Sequence, residues 1–299
     1  MADGVTTLAS WERGAVAERR RRPSFLRKLA RNRGALVGTF VLLVIIGMGT
    51  LAPVLAQTDP NQQHLRSRLQ APFEDASRPL GGDQLGRDVV SRLIYGSRIA
   101  LIVGFASVAI SGSLGIALGL IAGYYGGRMD DLISWVGNVF LAFPFFLLAL
   151  AVVAILGGGL RNMIIVLAAT SWMSYMRIVR GEVLTIRDTA FVEAAHTVGV
   201  GDARLLIRHV FPNVLTPVIV IATFEVARMI ISESALSFLG LGVGSQTPSW
   251  GAMLADGRTY LATAWWVATF PGIAIMITVL AINLLGDWLR DELDPRITV

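Results

Sequence analysis

Residues 99–127 read IALIVGFASVAISGSLGIALGLIAGYYGG, 29 consecutive positions without a charged side chain. The hydrocarbon core of a bilayer is about 30 Å thick and is crossed by roughly 20 apolar helical residues, so this stretch is long enough for one passage. In hydrocarbon each backbone N–H and C=O needs a partner, and a helix supplies those partners from within the segment. Gly115, Gly119 and Gly123 recur every four residues and share one helical face, where a second backbone can come close.

Three further uncharged stretches flank it: Gly34 to Thr58 (25 residues), Leu132 to Leu160 (29) and Thr259 to Gly286 (28). Arg161 alone separates Leu160 from the next apolar run, and Gly157-Gly158-Gly159 reads as a tight turn, so a further span is expected from Asn162 to about Val179. Val214 to about Leu236 makes another, unusual in carrying Glu225, Arg228 and Glu233. Ser234 to Ala255 is also uncharged, but Gly240, Gly242, Gly244 and the Gln-Thr-Pro-Ser cluster read as loop. The expected fold is an all-α integral membrane protein with six transmembrane helices. Pro144, Pro217 and Pro271 lie within or at the start of spans three, five and six, where each can kink its helix.

Composition agrees. The 299-residue chain is 54% hydrophobic and 16% charged, with a mean hydropathy of +0.62; soluble domains carry about 25% charged residues. There is no cysteine, and His64, His196 and His209 are scattered, which excludes thiolate chemistry and a histidine metal cluster. The only lysine is Lys28, so no phosphate loop of the G-x-x-x-x-G-K-[ST] type exists, and any nucleotide hydrolysis belongs to a partner.

Nine of the 26 Lys/Arg fall in the first 34 residues, directly ahead of an apolar run, which is a topology signal rather than a nucleic-acid surface. Six spans put both termini on one side, the cytoplasmic one, and 17 Lys/Arg then lie inside against eight outside. Arg21-Arg22-Pro23-Ser24 resembles a twin-arginine export signal, and Val54-Leu55-Ala56 a cleavage site. The run is longer than a signal core and five spans follow it, so an uncleaved first span is expected. The chain divides into a basic cytoplasmic tail (1–34), the first helix with a long outer loop (35–98), a five-helix core (99–287) and a cytoplasmic carboxyl tail (288–299).

Between spans four and five, Arg180 to Asn213 is the most informative cytoplasmic segment. Phe191, Ala194, Ala195 and Val198 form an apolar stripe on a short helix that also carries Glu193 and His196, and Gly199 and Gly201 end it. Asp202 is placed to cap a second helix through Leu205, Leu206 and Val210, which Pro212 is expected to end. The hairpin either rests on lipid headgroups or is offered to a cytoplasmic protein.

Glu193-Ala194-Ala195, Gly199 and Pro212 resemble the EAA loop of ABC-importer membrane subunits, with His209 and Phe211 where isoleucine and leucine are usual. Three more segments are similar to the second membrane subunit of dipeptide and oligopeptide importers. They are Leu80 to Asp88 with Ser91-Arg92; Leu236 to Gly242 with Pro248, Trp250 and Gly251; and Gly286-Asp287 with Leu289-Arg290-Asp291 and Leu293-Asp294-Pro295. Gly82 replaces a usual threonine, and Trp288 a smaller residue.

The resemblance, from about Phe25 to Arg296, implies the transmembrane domain of a type I ABC importer in a bacterial or archaeal cytoplasmic membrane. The implied partners are a homologous second permease subunit as heterodimer, two ATPase subunits that bind ATP and Mg, and an extracytoplasmic solute-binding protein. This chain would then hold no cofactor. The coupling residues would be Glu193, Ala194, Ala195, Gly199 and Pro212. Importers of glutathione and of nickel chelates share the design, so cargo stays open within that set.

Glu225 and Arg228, three residues apart on one face, either pair with each other toward a partner subunit or line the solute path; Glu233 lies nearer the outer surface, within reach of water. The outer loop, Gln57 to Ser97, balances five arginines against five acids. Gln84 to Arg98 is a candidate interfacial helix, and Arg87, Asp88 and Arg92 are candidate contacts for the binding protein. Intramembrane proteolysis finds no support: Gly112-Ser113-Leu114-Gly115 is not G-x-S-G, the histidines lie outside the spans, and Asp287 is the only aspartate beside a span core. An ion-coupled carrier or channel subunit, with Glu225 and Arg228 as a proton relay, is the rival function.

Overall fold

A computed structural model describes residues 25–244 and 246–293; residues 1–24, with the Arg21-Arg22 pair, and Asp294, Pro295 and Arg296 lie outside the described residues. The described chain is helical: α1 (Phe25–Arg31), α2 (Arg33–Thr50), α3 (Ala52–Leu55), α4 (Val89–Tyr125), α5 (Gly127–Ala142) and α6 (Phe145–Leu156). Then follow α7 (Leu160–Arg187), α8 (Ala190–Thr197), α9 (Asp202–Leu205), α10 (Phe211–Phe238), α11 (Trp250–Gly257) and α12 (Trp266–Leu293). Five helical segments are long and apolar enough to cross a membrane unbroken, and α5 with α6 makes a sixth, bent by 89°. Large apolar side chains such as Phe40, Trp135, Leu147, Ile155 and Met276 point outward, the arrangement of a surface that meets lipid or another membrane subunit rather than water.

The centre of the bundle is α4 laid along α7. A Cβ on Gly119 would sit 2.8 Å from the Met176 carbonyl oxygen and one on Gly123 2.7 Å from Val183 Cβ, while one on Gly115 would collide with the Trp172 carbonyl. The glycine stripe is thus the seam between the two helices, as its spacing predicts.

One proline acts as the kink expected of it, and two further elements differ from the sequence expectation. Span three is broken: Pro144 has no N–H to give the helix and forces Phe143 into extended backbone (φ −88°, ψ 130°), so α5 stops and α6 starts again in a new direction. Gln84 to Arg98 does not form an interfacial helix; Asp88 caps α4, accepting from Ser91 N at 2.8 Å, and the helix runs 37 residues without interruption from there. The expected loop before span six contains α11, because the Ser249 side chain accepts from Ala252 N and so starts a helix.

The two ends of the described chain meet. Phe25 packs edge-on against Trp288 (centroids 4.8 Å apart), and Lys28, the single lysine, is bonded to Glu292. The unusual tryptophan is therefore the seat of α1.

Candidate functional site

Three sites line up from the end of the bundle that carries the chain ends to the opposite end. At the first end, α7 runs on to Arg187, Thr189 turns the chain, and α8 projects from the bundle. Val192 is the buried anchor of α8, whereas Phe191, Glu193, Ala194 and Val198 are exposed, Val198 to 81%. The predicted stripe exists and points away from its own bundle.

Gly199 stops α8 with φ +80°, and Val200 N donates to the Ala195 carbonyl, six residues closing a Schellman turn. No atom lies within 4 Å of a Cβ built on Gly199, so glycine is needed there for its backbone angle and not for space. Two bonds brace the hairpin against the end of α4: Arg187 Nη1 to the Gly123 carbonyl at 3.1 Å, and Tyr124 OH to Asp202 Oδ1 at 2.9 Å.

Asp202 is the first residue of α9, not its cap, and Gly201 holds the cap position without a side-chain bond. Pro212 does not end the second helix either. A π turn over Leu206–Val210 widens the spiral just before it, and Pro212 stands in the first turn of α10, where its missing N–H has no partner to lose. The exposed α8 is consequently joined through short links to α7 on one side and to α10 on the other.

Those two helices carry the second site. Arg228 on α10 donates from Nη2 to Ser171 Oγ on α7 at 3.1 Å, and its Nε lies 3.4 Å from Glu225 Oε2. Glu225 is buried inside the chain, while the Arg228 side chain is 51% exposed. The pair expected from the i, i+3 spacing therefore forms, with the acid turned into the bundle and the base at the wall of a cavity. Both lie well inside the span, about 18 and 22 Å from Asn213 at ~1.5 Å per residue, where an unpaired charge costs at least ~2.5 kcal/mol on insertion scales.

At the opposite end, three charged residues that were candidate partner contacts on a loop whose default is solvent are internal. Asp83 is 1% exposed; its Oδ2 accepts from Arg87 Nε at 2.6 Å and from Arg92 Nη1 at 2.5 Å, and its Oδ1 accepts from the Leu85 and Arg87 backbone. Asp256 on α11 lies 3.1 Å from Arg87 Nη2 and 3.4 Å from Arg92 Nη1. Arg87, Asp88 and Arg92 are thus corrected from contact surface to buried brace, since all three are buried, Asp88 caps α4, and the two arginines tie the loop to α11. Glu233 is corrected too: it does not reach water but is buried at 1% exposure, accepting from Ser237 Oγ at 2.7 Å and Ser234 Oγ at 3.3 Å. Asp256 and Ser171 were missed by sequence reasoning, because neither sits in a motif or at helical spacing from its partner.

Residues 115–299 match the family described as "binding-protein-dependent transport system inner membrane component", and residues 24–72 match "N-terminal TM domain of oligopeptide transport permease C". The chain belongs to this family of transport-system membrane components. It is 44% identical over 277 residues to the di/tripeptide transport system permease protein DppC of Pseudomonas aeruginosa, covering 91% of each chain. It is also 41% identical over 273 residues to a glutathione transport system permease protein of Escherichia coli, covering 91% of this chain and 90% of that one. The solved MetNI methionine ABC transporter, in an inward-facing conformation, shares the fold: TM-score 0.56, 20% identity, 69% of this chain and 97% of that one.

Proposed function

We propose that this chain is the second membrane subunit of an ATP-driven importer for di- and oligopeptides, that it pairs with a homologous permease, and that α8 is the lever docked on an ATPase subunit. The observation that carries this reading is the exposed apolar face of α8, held out by a buried Val192 and stopped by Gly199. On this reading the end bearing α8 and both chain ends is cytoplasmic, a solute-binding protein docks at the opposite end, and ATP and Mg stay on the ATPases. The peptide cargo follows from the di/tripeptide and dipeptide relatives; a glutathione relative at 41% identity falls in the same range as a dipeptide relative at 41%.

The mechanism follows from the joints. When the ATPases close, α8 moves with them. α7 adjoins it directly and α10 follows through α9 and the π turn, so their ends are displaced relative to each other, and the Ser171–Arg228 bond lies on the contact between those helices. Phe191, Ala194 and Val198 form the docking face with the half-buried Ala195 along its edge and the exposed Glu193 beside it, Gly199 sets the angle at which the hairpin leaves it, and Pro212 opens α10.

Gly199→Val forces a β-branched residue into left-handed backbone, a strain of about 1–2 kcal/mol, so uptake should fall on the order of tenfold while the complex assembles and hydrolyses ATP. The readout is transported peptide per ATP in reconstituted vesicles. Unchanged coupling would remove the lever from the account. Uptake that persists without the ATPases and collapses with the proton gradient would instead favour an ion-coupled carrier.

A further inference from the structure

The break at Phe143-Pro144 opens a cavity of about 530 Å3 between α5, α6, α7 and α10. Its wall is aromatic on one side (Phe140, Phe143, Phe145) and hydroxyl-bearing on the other (Thr170, Ser171, Ser232), and Arg228 is its single ionisable lining residue. The Arg228 guanidinium is only partly engaged. The Glu225 contact, at 3.4 Å, is longer than the 2.7–2.9 Å of a good charge-assisted bond, and Nη1 makes no hydrogen bond among the described residues. A planar donor fork facing an otherwise uncharged, half-apolar cavity matches one chemistry above others, a carboxylate carried on an amphipathic body.

We infer that Arg228 is a carboxylate subsite on the translocation path, taking the terminal carboxylate of the passing peptide while the Phe140–Phe143–Phe145 wall takes its apolar side chains. Glu225 has a specific part in this. Because it stays within reach of the same guanidinium, it competes with the solute carboxylate and keeps the hold weak enough for onward release, the condition any conducting site must meet. Ser171, on α7, steadies the fork from the other side, so displacement of α7 against α10 changes the grip at the moment the lever moves. The inference rests on the peptide reading for its cargo, though not for its chemistry.

The test uses the complete reconstituted complex with two probes, trialanine and trialanine amide, which differ only in the carboxylate. Arg228 in the assembled complex is first exposed to phenylglyoxal and its modification quantified by mass spectrometry. Protection by trialanine but not by the amide is the expected result. Protection by both or by neither, or an Arg228 that never reacts because the assembled complex shields it, overturns the subsite.

Uptake is then measured. Arg228→Gln should lower trialanine uptake by about tenfold or more, the loss of a hydrogen bond to a charged group, and Arg228→Lys should fall between. The double variant Glu225→Gln/Arg228→Gln leaves no unpaired buried acid, so it separates a folding defect from loss of the subsite: uptake as low as in the single variant supports the inference, and recovery to the wild-type rate sinks it. If the wild-type complex imports no trialanine at all, the peptide reading fails, while the protection experiment still decides the subsite.

Discussion

Asp83 is one carboxylate that accepts from two guanidiniums and two backbone N–H groups at once. Removing its charge leaves Arg87 and Arg92 buried beside a neutral amide, and breaking such a buried network by one partner costs about 3–5 kcal/mol. Asp83→Asn should therefore abolish or sharply lower the thermal transition of the purified complex, followed by tryptophan fluorescence. Asp256→Asn should do far less, since that carboxylate is one-third exposed and water replaces part of what it loses. Equal effects from the two would show that the loop is held by something other than this brace. In the sequence, Asp83, Arg87 and Arg92 look like ordinary loop charges, whose default is solvent. What turns them inward is Asp256, more than 160 residues further along, together with Trp266 Nε1 donating to the Gly82 carbonyl at 3.2 Å. No local pattern announces either contact. The serines around Glu233 sit one and four residues after it on the same helix; only Ser237 stands at a spacing that faces it, and the expectation that Glu233 reaches water passed over that neighbour.

Among the elements, those governed by one physical effect were legible and those settled by competing effects were not. Span lengths follow from the absence of charge, which nothing else in the chain opposes. The α4–α7 seam follows from glycine spacing, and its consequence is testable. Gly115→Val would drive a side chain into the Trp172 carbonyl and Tyr175 Cβ, in a place where backbone cannot yield. Folded complex recovered from membranes should fall to a few per cent of wild type, in line with the 1–3 kcal/mol or more of a badly overpacked core. Gly181→Ala, inside α7 with no neighbouring atom within 4 Å of the added Cβ and ordinary helical backbone, should leave the yield of the complex unchanged. A Gly115→Val complex recovered at wild-type yield would mean that the two helices are not packed as described. A kink at Pro144 was legible, but not that it would break the span while Pro217 and Pro271 stay inside helices, nor the continuation through Pro212, because each depends on what surrounds the proline. Phe143 before Pro144 is free to become extended, whereas the π turn before Pro212 absorbs the ring and lets the helix go on.

At the scale of the whole molecule, the contact of Phe25 with Trp288 and of Lys28 with Glu292 brings the two ends of the described chain to one face of the bundle, the parity that six passages require. The arginine distribution, with 17 Lys/Arg on one side against eight on the other, is the ground for the proposal that this face is cytoplasmic. The absence of cysteine makes the assignment directly measurable, because any thiol introduced is the only one in this chain. Val198, on the lever, and Phe73, in the long loop, are exposed almost equally, at 81% and 84%. In cells expressing the permease pair without the ATPases, a difference in labelling between Val198→Cys and Phe73→Cys therefore reports compartment rather than burial. A membrane-impermeant maleimide applied to cells with a permeable outer envelope should label Phe73→Cys within minutes and reach Val198→Cys only after the inner membrane is opened. Because the lever is expected to be covered by an ATPase, Val198→Cys should also label more slowly in the assembled complex than in the permease pair alone. Should Val198→Cys react first in intact cells, the bundle is inverted, and α8 then lies on the side where there is no ATP to drive it.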